Sequence, residues 1–211
     1  MTQQSKKTGQ WQALLMVVIL GGVIAGGFLL FPKTKDARDR LLSKLGTTNH
    51  GEFVLPAVSM KSLQLKDAEG RPWLFDEQKT KWRMVIPGYA NCDQACQDVL
   101  YLTRQVHISL GKYSRRFERI YLNFDDHLDA ESAEYMKLHP FLHQLSGDQE
   151  EMKQLLAGTN TPLKGKSNSD EPLRVYLVDQ QGLVMMSYTA SDDGHDIIED
   201  IDHLMKYSPG Q

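Results

Sequence analysis

The order of strands and helices in this chain is decided around residues 82–100, which read WRMVIPGYANCDQACQDVL. A short apolar run ends at Gly88, and the two cysteines of the chain, Cys92 and Cys96, follow it. Such a run is typical of a buried strand. From Cys96 onward apolar side chains recur at helical spacing until Gly111, where a helix is expected to end. The cysteines are therefore predicted to lie at a strand-to-helix turn.

The segments after this turn predict a second central strand and two further helices. Residues 117–124, FERIYLNF, form the second strand in this interpretation. Residues 129–145 and 149–158 are predicted helices, and the first of them is interrupted at Pro140.

Two hairpins and a final helix complete the predicted fold. Residues 62–75 and 173–188 each alternate, break at a glycine-containing turn and resume, which is typical of a hairpin. Residues 195–207 have the spacing of a closing helix. This order predicts an α/β fold, in which a mixed sheet carries helices on both faces and the cysteines at a strand end.

The N-terminus has a different character from the rest of the chain. Residues 11–31, WQALLMVVILGGVIAGGFLLF, carry no charge and are long enough to cross a bilayer, which takes roughly 20 helical residues. We expect an uncleaved transmembrane helix. The alternative is a cleaved signal peptide with its small-residue site at 23–25. The predicted organisation is a tail over 1–10, the anchor over 11–31, a stalk over 32–52 and a domain over 53–211.

The charge of the chain restricts the classes of partner but does not decide the orientation of the protein in the membrane. The net charge is −3 among 211 residues, and no basic stripe runs along the chain, so nucleic-acid binding is not expected. More lysines and arginines follow the apolar run than the two, Lys6 and Lys7, that precede it. Taken alone, the positive-inside rule would keep the C-terminal domain in the cytoplasm.

The cysteine pair has three possible roles: a redox couple, a pair of metal ligands or a structural disulfide. A helix N-terminus favours the thiolate of Cys92, although Asp93 beside it works against that effect. Cys96, one turn later, can reach back to it. Cys92 is then the attacking thiol, expected to be the more exposed of the two, and Cys96 is the resolving thiol. A purely structural disulfide that closes so small a loop would stabilise the fold only slightly, because it removes little entropy from the unfolded chain.

Residues 81–125 resemble the core of the Sco/SenC family, which consists of membrane-anchored, thioredoxin-like proteins that help deliver copper to cytochrome c oxidase. The resemblance rests on an apolar strand ending in glycine and an aromatic residue, the CxxxC motif, the helix and the second strand ending in Asp125. It extends over roughly residues 60–206. It implies a thioredoxin-like domain on the periplasmic side of the inner membrane, held by a single-pass N-terminal transmembrane helix.

The sequence departs from the family's copper site. Asp93 and Gln97 stand where the family usually has prolines, and Glu171 stands near the position of its copper-binding histidine. Two thiolates suit Cu(I), whereas stable Cu(II) binding favours an imidazole. We therefore expect copper binding by Cys92 and Cys96 to be weak or confined to Cu(I). His127, which follows the second central strand, is the candidate substitute ligand.

Pro172 is a further candidate site residue. Thioredoxin-like folds place a cis-proline against the cysteine pair, before a hairpin strand, and Pro172 precedes the second predicted hairpin. An ordinary loop proline is the alternative, since cis bonds are a minority of X–Pro bonds.

These features lead to one main functional hypothesis and two alternatives. The main one is thiol–disulfide exchange by Cys92 and Cys96 on a copper-site subunit during cytochrome oxidase assembly, which would make the protein a thiol–disulfide oxidoreductase. The alternatives are a copper(I) metallochaperone using the same cysteines and a non-catalytic assembly scaffold. The expected partners are the inner membrane and a respiratory oxidase subunit or another assembly factor.

Overall fold

A computed structural model describes residues 3–30, 34, 49–125, 127–163 and 173–208. The chain divides into two compact units, Met1–Thr47 and Thr48–Gln211. Most of the predicted stalk lies outside the described residues, as do Glu171 and Pro172.

The first unit contains a single described element, the helix α1 (Gln3–Leu30). Large apolar side chains along it, from Trp11 to Ile24, are between 58% and 75% exposed. Among the residues that the structure describes, no helix combines the length and the hydropathy that a membrane span needs.

The second unit is built on an eight-stranded sheet in the described part of the chain, ordered β1-β8-β7-β4-β5-β6-β2-β3. The neighbours β4, β5 and β6 run parallel, while all other pairs are antiparallel. The sheet is therefore mixed, as predicted. Its strands are β1 (Glu52–Ser59), β2 (Leu65–Lys66), β3 (Pro72–Trp73), β4 (Trp82–Gly88), β5 (Phe117–Asn123), β6 (Leu142–Ser146), β7 (Arg174–Val178) and β8 (Leu183–Thr189).

Helices cover both faces of this sheet. The helices are α2 (Gln94–Ser109), α3 (Ala130–Met136), α4 (Gln149–Leu156) and α5 (Gly194–Tyr207). On one face Met84 and Ile86 of β4 pack in the same core as residues from α2, α3 and α5. On the other face Val85 belongs to a second core that includes Met152 and Leu156 of α4. Both cores exclude water from apolar side chains, which is the main stabilising contribution to such a fold.

The two central strands confirm the sequence interpretation. Every residue of β4 and of β5 is buried, because helices cover both faces of strands at the centre of the sheet. The two strands pair in parallel from Trp82 opposite Phe117 to Gly88 opposite Asn123. Both hairpins and the closing helix are also present, as β2–β3, β7–β8 and α5.

The prediction of one interrupted helix over residues 129–145 is wrong. The helix α3 ends at Met136, and β6 begins at Leu142 and pairs in parallel with β5. Five residues are too few to establish an alternating pattern in the sequence, and the strand forms because β5 offers a partner edge. The edge strand β1 was not predicted either; it is held by antiparallel pairing with β8.

Candidate functional site

The cysteine pair lies where the sequence predicted, at the turn between β4 and α2. Cys92 precedes the helix cap, and Cys96 lies in the first turn of α2. The two residues form a disulfide, with their Cα atoms 5.1 Å apart. Because β4 and β5 are parallel, the turns after both strands meet at the same edge of the sheet. The loop that follows β5 therefore lies beside the cysteines.

The two residues that depart from the family pattern have defined roles in this turn. Asp93 is the N-cap of α2, and its carboxylate accepts a hydrogen bond from the Cys96 N–H at 3.0 Å. Gln97 donates from Nε2 to the Cys92 carbonyl at 3.1 Å. Capping by aspartate satisfies an otherwise unpaired backbone N–H. The side chains of Asp93 and Gln97 therefore fix the backbone of the two cysteines at the start of α2.

Both cysteines are buried, contrary to the expectation that Cys92 is the more exposed. Cys92 is 4% exposed and Cys96 is 6% exposed. Both side chains belong to the core on the α2 face of the sheet, and a covering segment, residues 127–136, which includes α3, is hydrogen-bonded to the cysteine turn. Ser132 of this segment accepts a hydrogen bond from the Cys92 N–H on its Oγ at 2.8 Å.

The covering segment is held to the turn by further hydrogen bonds. The N–H of Asp129 donates to the Ala90 carbonyl at 2.9 Å. Asn91 donates from Nδ2 to the Asp129 carboxylate at 2.9 Å. Just before the segment, the Asp125 carboxylate accepts from the Ala90 N–H at 2.8 Å. The Asn91–Asp129 bond is exposed, the Ala90–Asp125 bond is partly buried, and the Cys92–Ser132 bond is buried.

Tyr121 of β5 forms the floor beneath the disulfide. Its ring is 1% exposed, and its Oη lies 3.9 Å from Cys96 Sγ. The hydroxyl donates to the Tyr89 carbonyl at 2.7 Å and accepts from the Tyr89 N–H at 3.0 Å. Burial raises the pKa of Tyr121 far above its ordinary value, and the charges of nearby carboxylates add to this shift. The hydroxyl therefore stays protonated beside the sulfur.

Three carboxylates give the site a negative character. The negative charges of Asp125, Asp93 and Asp129 all raise the pKa of the Tyr121 hydroxyl. Hydrogen bonds from Ser132 and Asn91 hold the pKa of the Asp129 carboxyl below its usual range, so this group is ionised at neutral pH. Negative charge beside the pair disfavours thiolates after reduction, which makes the couple more reducing.

The structure also locates the remaining predicted site residues, as far as they are described. His127 is exposed and lines a cavity together with Lys66 and Asp125. Its role as a copper ligand stays a prediction, as does that of Pro172, which lies outside the described residues. Among the residues with described positions, one group of three or more ligand-type side chains lies within metal-binding range, His50, Asp196 and Glu199, and neither cysteine belongs to it.

Tyr121 and Ser132 contact the cysteine turn, and neither was predicted from the sequence. A tyrosine within a buried strand and a serine within a short helix carry no motif. Their contacts with the cysteine turn join residues 25 and 40 positions apart. The donor set at the turn consists of two sulfurs, which suits Cu(I) once the pair is reduced.

A strand, a CxxxC turn and a helix in a mixed sheet flanked by helices define a protein of the thioredoxin-like class. The family model described as "Transmembrane-like, thioredoxin-like, C-terminal domain" matches residues 82–208, which is more than half of the chain. The chain belongs to this family. No protein with a curated function is similar enough in sequence to count as a relative.

Several solved structures with the same fold are Sco proteins. Apo Sco1 from Thermus thermophilus has a TM-score of 0.56 and 21% identity, over 74% of this chain and 97% of that chain. Yeast Sco1 with copper bound has a TM-score of 0.53 and 21% identity, over 78% and 98%. BsSco, described as having a disulfide switch and as a Sco-family cytochrome c oxidase assembly protein, has a TM-score of 0.55 and 15% identity, over 72% and 96%.

Proposed function

We propose that this protein is a Sco-like, membrane-anchored thiol–disulfide exchange protein that acts on a copper-site subunit during cytochrome oxidase assembly. The observation that carries the proposal is the closed Cys92–Cys96 pair at the turn between β4 and α2. The covering segment and the anionic surroundings add support, because they favour a guarded, reducing couple. The fold shared with Sco structures supports the choice of partner.

In the proposed reaction the reduced pair transfers two electrons to a disulfide of the partner. The Cys92 thiolate attacks one partner sulfur, which forms a mixed disulfide and releases the first partner thiol. The Cys96 thiolate then attacks the Cys92 sulfur, which closes the pair and releases the second partner thiol. An external dithiol re-reduces the pair. Cys96 suits the resolving role, because its sulfur faces the buried Tyr121 hydroxyl.

The covering segment would act as a gate in this cycle. A partner sulfur needs a direct approach to Cys92, which is 4% exposed in the closed arrangement. Opening requires loss of the Ser132 and Asp129 hydrogen bonds to the turn. Each such bond is worth roughly 0.5–1.5 kcal/mol, so a partner that competes for them can shift the gate.

The couple is expected to be reversible and strongly reducing. In the full-length chain, titration against a dithiol buffer should open and close the disulfide without loss of the fold, because the sheet does not depend on it. Mass-resolved alkylation measures the reduced fraction, and circular dichroism measures the fold. If no dithiol buffer reduces the disulfide in the folded chain, the pair is a structural disulfide and not a redox couple.

The variant Ser132→Ala tests whether the covering segment controls access to the cysteines. It removes the acceptor of the Cys92 N–H, so alkylation of the reduced pair should become several-fold faster, with Cys92 labelled first. Ser109→Ala, at the far end of α2, is the matched control and should leave the rate unchanged. If Cys92→Ser/Cys96→Ser still supports oxidase assembly, the scaffold hypothesis replaces this one.

Copper(I) transfer through the same two cysteines is the second candidate function. It is favoured by the two-sulfur donor set, and the copper-bound state of the yeast Sco1 structure is consistent with it. Copper(I) titration of the reduced full-length chain against a competing chelator distinguishes the two functions. Tight one-to-one binding that both cysteines require would favour transfer over exchange.

We also propose that residues 11–31 anchor the protein in the inner membrane with its domain in the periplasm. The support is the uncharged run, the exposed apolar side chains of α1 and the transmembrane-like description of the family. Alkaline phosphatase fused after Gln211 is expected to be active, and a cytoplasmic reporter fused there silent. The reverse result would place the domain in the cytoplasm.

A further inference from the structure

A second cavity lies at the other end of the sheet from the cysteines. It has a volume of about 500 Å³ and is lined by residues of α2, of the first part of β5 and of the segment before β6. The residues used below are Arg104, His107, Phe117, Arg119 and Phe141. Because Phe117 begins β5, this cavity is at the amino-terminal edge of the parallel strands, whereas the disulfide is at the carboxyl edge.

Arg119 is a buried cation for which the described residues supply no counter-ion. It is 1% exposed, and its Nη1 donates to the Leu100 carbonyl at 3.2 Å and to Thr103 Oγ1 at 3.4 Å. Its Nε is buried and has no hydrogen-bond partner among those residues. Burial, and then the charge of Arg104, lower the pKa of Arg119 to about 10, so it remains charged at neutral pH. A buried charge with only neutral partners is costly, so an anion that reached this side chain would be bound favourably.

Arg104 adds a second positive charge to the same cavity. It is half-buried and forms no ion pair with the described residues. Among the described residues that line the cavity, the only carboxylate is Glu118, which already forms ion pairs with Arg83 Nε at 2.6 Å and with Lys81 Nζ at 3.2 Å. The cavity therefore has an excess of positive charge.

Part of the cavity wall is aromatic. The His107 ring meets Phe117 edge-to-face, with centroids 5.4 Å apart, and Phe141 similarly at 6.3 Å. Burial lowers the pKa of His107 below its ordinary value, so its ring is neutral at pH 7. Phe141 is 77% exposed and has a φ of +72°, a backbone conformation that costs energy for a bulky side chain.

We infer that this cavity binds a small aromatic carboxylate. Its ring would lie among His107, Phe117 and Phe141, and its carboxylate would face Arg104 and Arg119. Guanidinium groups bind planar carboxylates with charge-assisted hydrogen bonds, and aromatic walls favour a flat apolar body over a bare inorganic anion. A mainly apolar pocket with a few converging charges is typical of small-molecule sites.

The test uses 2-naphthoate and the full-length chain, with isothermal titration calorimetry as the measurement. We expect 2-naphthoate to bind at least about tenfold more tightly than its neutral amide, 2-naphthamide, and than inorganic phosphate. Arg104→Gln should weaken 2-naphthoate binding about tenfold or more. Arg71→Gln removes the same charge from an exposed hairpin turn and should leave the affinity unchanged.

Two further variants keep the inference testable. Arg119→Gln should also weaken binding, and if it does not fold by circular dichroism, Arg104→Gln decides the question. Phe141→Gly relieves the positive φ, so it should keep the fold while weakening binding several-fold. Equal affinities for the acid and the amide, or an Arg104→Gln affinity equal to wild type, would overturn the inference. None of these variants should alter the redox titration of Cys92 and Cys96, so the two proposals fail separately.

Discussion

Replacing Glu118 with alanine is expected to lower the free energy of unfolding by about 3–5 kcal/mol. Glu118 is the charged partner of Arg83, which is 1% exposed and lies next to it on the paired strand β4. The Arg83 Nε and Glu118 Oε1 atoms are 2.6 Å apart. Without the carboxylate, Arg83 would keep its charge inside the protein without compensation.

Arg83 cannot easily escape to solvent when its partner is removed. Its Nη atoms donate to the carbonyls of Lys81 at 3.2 Å and Lys79 at 2.8 Å. Its guanidinium also lies 5.5 Å from the ring centroid of Trp73 and 5.3 Å from that of Phe75. These contacts fix the side chain, so the penalty for losing the carboxylate falls largely on the folded state.

Urea denaturation of the full-length chain, followed by circular dichroism, measures this change. Glu150→Ala is the matched control, because its ion pair with Lys153 is exposed, and it should change the free energy of unfolding by less than about 1 kcal/mol. Glu118→Ala with an equally small effect would show that the Arg83 pair contributes little. The double variant Arg83→Met/Glu118→Leu should recover most of the stability, since neither charge remains buried.

The ion pair also marks a limit of sequence reasoning. The apolar content of residues 117–124 predicted β5 correctly, although two charged residues, Glu118 and Arg119, lie within it. A charged residue in a buried strand has no visible partner in the sequence, because Arg83 is 35 positions away. The sequence therefore predicted the strand, but neither the pair nor the unpaired Arg119.

The site shows the same division between local and distant information. The positions of Cys92 and Cys96 followed from a strand, a turn and a helix that are contiguous in the chain. From the sequence, Asp93 is interpreted as opposing a thiolate and as replacing a family proline, whereas the structure also gives it the N-cap role. The burial of both cysteines in the core and the contact of Cys92 with Ser132 join residues far apart in the chain, and they have no local signal. The local sequence pattern therefore predicts where the cysteines lie, whereas tertiary contacts determine how exposed they are.

Gly88→Ala is expected to combine a loss of stability of about 3 kcal/mol with a change in the reactivity of the cysteines. A Cβ atom at this position would lie 2.2 Å from the Cζ and from the Oη of Tyr121. Both atoms belong to the buried side chain of Tyr121, whose hydroxyl donates to the Tyr89 carbonyl. The ring must therefore shift or the end of β4 must move.

Either movement reaches the disulfide, because Tyr121 Oη lies 3.9 Å from Cys96 Sγ. The expected readouts are a lower urea midpoint and faster alkylation of the reduced cysteines. Gly158→Ala is the matched control, since a Cβ atom there meets nothing within 4 Å, and it should leave both readouts unchanged. The double variant Gly88→Ala/Tyr121→Leu removes the ring that causes the clash.

If the clash is the cause, adding Tyr121→Leu should make Gly88→Ala nearly neutral, and the two variants would be strongly non-additive. Additive losses would mean that Gly88 is needed for another reason, such as the backbone path at the end of β4. Unchanged cysteine reactivity in Gly88→Ala, despite lower stability, would separate the Tyr121 floor from the redox site. The proposed role of Tyr121 beside Cys96 would then be wrong, while its role in packing would remain.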